Sequence, residues 1–107
     1  MSTIKYHKLV RDRLPEIIEK SGKCPVYSIL SDEAFLAKLD EKLNEELAEY
    51  QESKSMEELA DLLEVIRAVA VARGSSIEEV ESIRQDKAAK RGGFEKKILL
   101  TEVTTDD

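Results

Sequence analysis

The sequence has one cysteine, one histidine, two prolines and no tryptophan, and only 5% of it is aromatic. A lone Cys24 excludes a disulfide framework within the chain and a paired-thiolate metal site, and it points to a reducing compartment. His7, the single imidazole, is far in sequence from the acidic residues and reads as a surface or packing residue. No apolar run approaches the ~18 residues that a membrane span needs. The stretch Met1–Lys8 carries no apolar signal-peptide core, so a cytoplasmic protein with no membrane partner is expected. A broad basic face is also missing. With a net charge of −6 the chain does not read as a nucleic-acid binder.

What the chain does have is charge, in 37% of its 107 residues. That length predicts a single domain over 1–107 with a modest core. High charge with few aromatics suits an all-α protein whose helices each bury one stripe. The charge is also sorted along the chain. Residues 40–64 hold ten acids against Lys42 and Lys54, which leaves +2 for the rest. Residues 1–23 carry six bases against three acids, and residues 84–97 six against two. An acidic middle between two basic segments suits a ligand with both metal-binding and anionic parts.

Residues 7–13 read as an irregular arm, followed by a short helix over 14–21, with Pro15 in its first turn and Gly22 beyond its end. On the residues alone, Arg11, Asp12 and Arg13 are surface charges with a local ion pair. Pro25–Leu30 is β-leaning. Ser31 then caps a long helix to about Glu52, with Phe35, Leu36, Leu39, Leu43, Leu47 and Tyr50 as its apolar stripe. After a turn at Ser53–Lys54, Ser55-Met56-Glu57-Glu58 opens the next helix with a capping-box pattern. Its stripe is Leu59, Leu62, Leu63, Val65, Ile66, Val69 and Ala70, ending near Arg73-Gly74. Ser76-Ile77-Glu78-Glu79 repeats the capping pattern for a helix to about Lys90. The apolar run Ile98-Leu99-Leu100 predicts a strand that would pair with residues 25–30 as a small two-stranded ribbon beside the helices.

Folded as an antiparallel hairpin, the two long helices bring Glu49 level with Glu58, and Glu46 level with Asp61. Each pair on its own helix is spaced i,i+3 and shares a face. At 100° per residue, Glu46 lies about 60° from the centre of the apolar stripe and Glu49 about 120°, whereas Glu45 points largely to solvent. Two bland readings compete. The carboxylates are merely solvated, or Glu58 is spent on the backbone of Ser55. Against them, Glu45–Glu49 and Glu57–Asp61 are like-charge i,i+4 pairs that cost a few tenths of a kcal/mol each. Few lysines offset them, and the cluster borders the apolar stripes. All-oxygen ligands select a hard cation, Mg²⁺ or Mn²⁺, and such ions most often serve phosphate substrates.

Glu45-Glu46-x-x-Glu49 followed by Glu58-x-x-Asp61 resembles the metal-binding signature of the all-α nucleoside triphosphate pyrophosphatases. That superfamily includes MazG proteins, dimeric dUTPases and phosphoribosyl-ATP pyrophosphohydrolases. Lys8 to Ile18 and Lys90-Arg91-Gly92-Gly93-Phe94-Glu95 resemble a MazG-like house-cleaning branch. The resemblance implies Mg²⁺-dependent cleavage of a nucleotide between its α and β phosphates, giving a monophosphate and pyrophosphate. It implies Glu46, Glu49, Glu58 and Asp61 as metal ligands and Glu45, Glu46 and Glu49 as the catalytic signature. It further implies Lys87 and Arg91 as phosphate contacts, with Arg11, Asp12 and Arg13 as substrate contacts of the branch. One departure is the spacing: eight residues separate Glu49 from Glu58, fewer than in many members. Homodimers or homotetramers are implied, in which paired hairpins complete a four-helix bundle, and two helices alone would hardly bury both stripes. Phosphoribosyl-ATP hydrolysis is the neighbouring alternative, and a non-enzymatic helical interaction module the alternative of another class.

Overall fold

The computed structural model describes residues 2–105. It is all-helical, with α1 over Leu14–Lys20, α2 over Asp32–Ser53, α3 over Met56–Ala72 and α4 over Ile77–Arg91. The chain divides into two compact units, residues 1–77 and 78–107. Among the described residues no helix is long and apolar enough to cross a membrane.

In the first unit the punctuation of the sequence sets the helix ends. Pro15 sits in the first turn of α1, where a missing N–H costs nothing, and Gly22 follows the helix with φ +90°. Ser31 takes an extended conformation and its hydroxyl accepts the N–H of Ala34 at 3.2 Å, starting α2. Lys54 ends α2 in the left-handed region at φ 57°, and its N–H donates to the carbonyl of Tyr50. One residue later Ser55 caps α3, its hydroxyl accepting the N–H of Glu58 at 3.3 Å. So tight a link folds α3 back along α2, and Arg73 near the end of α3 reaches Asp40 of α2 at 3.5 Å.

The seam between α2 and α3 holds what core there is. Leu39, Val65 and Ala70 are the buried apolar side chains among the described residues. Phe35, Leu36, Leu43, Tyr50, Leu62, Ile66 and Val69 are half-buried beside them. Leu47, Leu59 and Leu63, which belong to the apolar stripes, stay exposed at 45%, 37% and 56%. The stripes are therefore wider than one hairpin can cover.

In the second unit α4 carries acids in its first turn and Lys90 and Arg91 in its last, both favourable to the helix dipole. Arg84 pairs with Glu81 along it. The expected ribbon is not formed, since the described residues contain no strand. Residues 25–30 and 98–100 make no ladder hydrogen bonds among the described residues, and Val26, Ile29 and Leu99 are 99%, 90% and 84% exposed. β-leaning composition specifies a strand only where a paired neighbour satisfies its backbone.

Candidate metal centre

The acidic residues of the hairpin gather on one side of the α2–α3 seam. Glu46, on the flank of the α2 stripe, is 94% buried against α3 with 6% exposure. One carboxylate oxygen each from Glu46, Glu58 and Asp61 lie within 4.8 Å of one another, and so do oxygens of Glu45, Glu46 and Glu49. The four expected ligands thus do not form one quartet: Glu46, Glu58 and Asp61 make one triad, and Glu49 joins Glu46 and Glu45 in a second. Glu46 and Asp61 meet across the helices as the hairpin geometry requires. Glu49 groups with its neighbours on α2, and it is exposed. At about 120° from the stripe centre it sits on the outer flank of the helix.

The exposure of Glu45 departs from expectation. It is half-buried, and less exposed than Glu49. The cause is the N-terminal arm, which lies against α2 and lines with it an open recess of about 90 Å³ formed by His7, Lys8, Leu9, Lys38, Glu41, Lys42 and Glu45. Lys8 Nζ reaches Glu45 Oε1 at 3.1 Å, and Lys42 Nζ lies 3.4 Å from both Glu45 Oε2 and Glu46 Oε1. Burial would raise the Glu45 carboxyl, but the hydrogen bond from Lys8 and the charge of Lys42 outweigh it and hold it below the usual range. The same contact holds the Lys8 ammonium above its ordinary value. Lys8 opens the Lys8–Ile18 stretch that carries the resemblance and belongs to the basic segment 1–23, but neither signals its contact with Glu45.

Glu46 behaves in the opposite way. Burial, then the charge of Glu49, raise its carboxyl above the ordinary value, and Lys42 offsets this only in part. Its Oε2 is buried and has no hydrogen-bond partner among the described residues. The same holds for Glu58 Oε2. The capping-box reading of Glu58 is half realised: Ser55 accepts its N–H, but the N–H of Ser55 donates to Ser53 Oγ at 3.2 Å. With that donor taken by Ser53, the Glu58 carboxylate is left free for the seam. Two buried carboxylate oxygens without partners are unfavourable unless a proton or a metal cation meets them.

The donor set fits a hard divalent cation. Opposite oxygens on Mg²⁺ stand about 4 Å apart, so a triad spanning 4.8 Å closes on such an ion with small side-chain movements. No sulfur or imidazole competes for softer metals at these positions.

The remaining site candidates fall elsewhere. Arg11 Nη2 donates to Asp61 Oδ1 at 2.7 Å, so Arg11 belongs to the acidic centre, an assignment that a pair fifty residues apart in sequence does not reveal. Asp12 is exposed in the turn before α1, and Arg13 pairs with Glu16 at 3.5 Å. Those two match the local surface-charge reading. Lys87 and Arg91 are exposed on α4, in the second unit.

No family model matches the chain, and no solved structure matches it. A protein of Mycolicibacterium smegmatis described as uncharacterized is 57% identical over 42 residues, which cover 39% of this chain and 43% of that protein. The chain therefore matches less than half the length of that relative, whose description names no activity.

Proposed function

We propose that the protein is a Mg²⁺-dependent nucleoside triphosphate pyrophosphohydrolase that works in the cytoplasm on noncanonical or surplus nucleotides. One observation carries the reading: the triad Glu46, Glu58 and Asp61 converges within 4.8 Å while two of its buried oxygens lack a hydrogen-bond partner among the described residues. The motif resemblance supports it and supplies the substrate class.

Glu46, Glu58 and Asp61 would hold the cation, for which Mn²⁺ is a substitute; when bound it would supply positive charge against the phosphate oxygens and so ease departure of pyrophosphate. Glu49, exposed beside Glu46, orients the attacking water and takes its proton. The water oxygen bonds to one phosphorus, and the bond from that phosphorus to the bridging oxygen breaks. A nucleoside monophosphate and pyrophosphate result. By resemblance, Lys87 and Arg91 bind phosphate and counter the charge that develops on it.

The test is pyrophosphate release from a panel of nucleoside triphosphates, with phosphoribosyl-ATP included, in the presence of Mg²⁺. At least one nucleotide is turned over, and Asp61→Asn lowers that turnover by at least about 100-fold, the upper range for loss of a metal's outer support. Turnover of phosphoribosyl-ATP alone selects the histidine-synthesis alternative. No turnover of any nucleotide, together with no Mg²⁺-induced rise in melting temperature, sinks the enzymatic reading in favour of an interaction module.

A further inference from the structure

The arm ahead of α1 touches the acidic centre at two points. Lys8 meets Glu45 across 37 residues of sequence and Arg11 meets Asp61 across 50, so both are tertiary contacts. The three corners of the Glu46/Glu58/Asp61 triad are unequal. Glu46 and Glu58 each keep a buried oxygen without a hydrogen-bond partner among the described residues, while Asp61 carries the Arg11 guanidinium at 2.7 Å. The contact is from a single guanidinium nitrogen, and its side chains are 64% and 42% exposed.

We propose that Arg11 stands in for the divalent cation at Asp61 when the metal is absent, so that metal entry and release of the arm are one linked event. This rests on the metal reading of the same triad given above. A fixed positive charge on one corner offsets part of the mutual repulsion of three carboxylates. It cannot serve the other two corners, because its nitrogen is committed to Asp61 and their oxygens stay bare. A divalent ion satisfies all three at once. The guanidinium would then stand close to an ion of like charge, and the two repel. Exposed ion pairs are weak enough to yield to such a competitor. Lys8 on Glu45 tethers the arm beside the triad, which keeps Arg11 at high local concentration as the competitor.

Mg²⁺ titration of the full chain, followed by calorimetry at about 0.15 M salt, tests the linkage, since more distant charges are largely screened there. Arg11→Ala should bind Mg²⁺ about two- to fivefold more tightly than wild type, the range set by an exposed ion pair. Arg13→Ala removes the same charge from the same segment but from a residue paired with Glu16, and should leave Mg²⁺ affinity within about 1.5-fold. In wild type, Mg²⁺ should also speed tryptic cleavage between Lys8 and Arg13. Arg11→Ala binding no tighter than wild type, equal shifts in the two variants, or cleavage that Mg²⁺ leaves unchanged or slows would each overturn the linkage while the metal reading stands. A wild-type chain that binds no Mg²⁺ overturns both.

Discussion

At the scale of the residue, Glu46 is where folding and the proposed metal site oppose each other. Its carboxylate is buried beside Glu49, and Lys42 offsets this only in part, so folding holds the carboxyl above its ordinary value. The sign of the consequence is fixed by that direction. A carboxyl raised in the folded state contributes stability below its unfolded pKa, and this is lost as pH rises through the folded value. Glu45, held low by Lys8 and Lys42, contributes in the other direction: its stability is present above the ordinary carboxylate pKa and lost as pH falls through the folded value. A simple pH–stability curve mixes the two. The difference between Glu46→Gln and wild type isolates the first, because glutamine mimics the neutral carboxyl. Without metal, Glu46→Gln should melt above wild type at neutral pH, and the gap should narrow as pH falls from the raised value to about 4.3, the ordinary Glu range. With saturating Mg²⁺ the order reverses, since wild type gains the ion's binding energy and the variant lacks a ligand. Thermal melts over a pH series, with and without Mg²⁺, check both statements. A gap independent of pH would mean that Glu46 does not titrate as its burial requires.

At the scale of the element, the hairpin depends on local chemistry that the sequence states openly. Ser31, Ser55, Pro15 and Gly22 announced the ends of helices within a residue or two of where they fall, because capping and backbone restriction act over one turn. The level pairing of Glu46 with Asp61 followed from helix periodicity and a short turn. What periodicity could not supply was the third dimension. The arm that covers Glu45, the grouping of Glu58 with Glu46 and Asp61, and Arg11 on Asp61 all depend on contacts between distant segments. Residues 25–30 and 98–100 failed in the same way, as strand propensity is decided by a partner and not by the run itself. Ser55 ties the two levels together, since its hydroxyl caps α3 at the residue that supplies the Glu58 carboxylate. Ser55→Ala should cost about 1 kcal/mol of stability, the ordinary value of an N-cap. It should also weaken Mg²⁺ binding, by loosening the turn that carries Glu58. Leu39→Ala, at a position 2% exposed in the seam, should cost about 2–5 kcal/mol without any direct loss of a metal ligand. Denaturant titrations of the metal-free variants, set beside their Mg²⁺ affinities, separate the cap from the core.

At the scale of the whole molecule, the amount of buried apolar surface decides what else must be present. Three buried apolar side chains among the described residues are a small core for two helices of 22 and 17 residues. Each fully buried aliphatic side chain contributes about 1.5–3 kcal/mol, so this seam offsets little of the entropy of ordering the hairpin. Meanwhile Leu63 and Val71 of α3 stand 56% and 55% exposed, beside Met56 at 69%. A helix that leaves this much of its apolar face in water is stabilised when a second helical hairpin covers it, as in a four-helix bundle. The expected outcome is a homodimer or homotetramer in solution. Its melting temperature should rise with protein concentration, because assembly is coupled to folding. Sedimentation equilibrium measures the state directly. Leu63→Glu should shift it toward monomer, since a charge buried at such a seam has no partner, and the melting temperature should then lose its concentration dependence. A wild-type chain that sediments as a monomer, with melting independent of concentration, would require the exposed leucines to be covered from within the chain. The acidic triad lies within one hairpin, so Leu63→Glu should retain Mg²⁺ binding wherever the monomer remains folded.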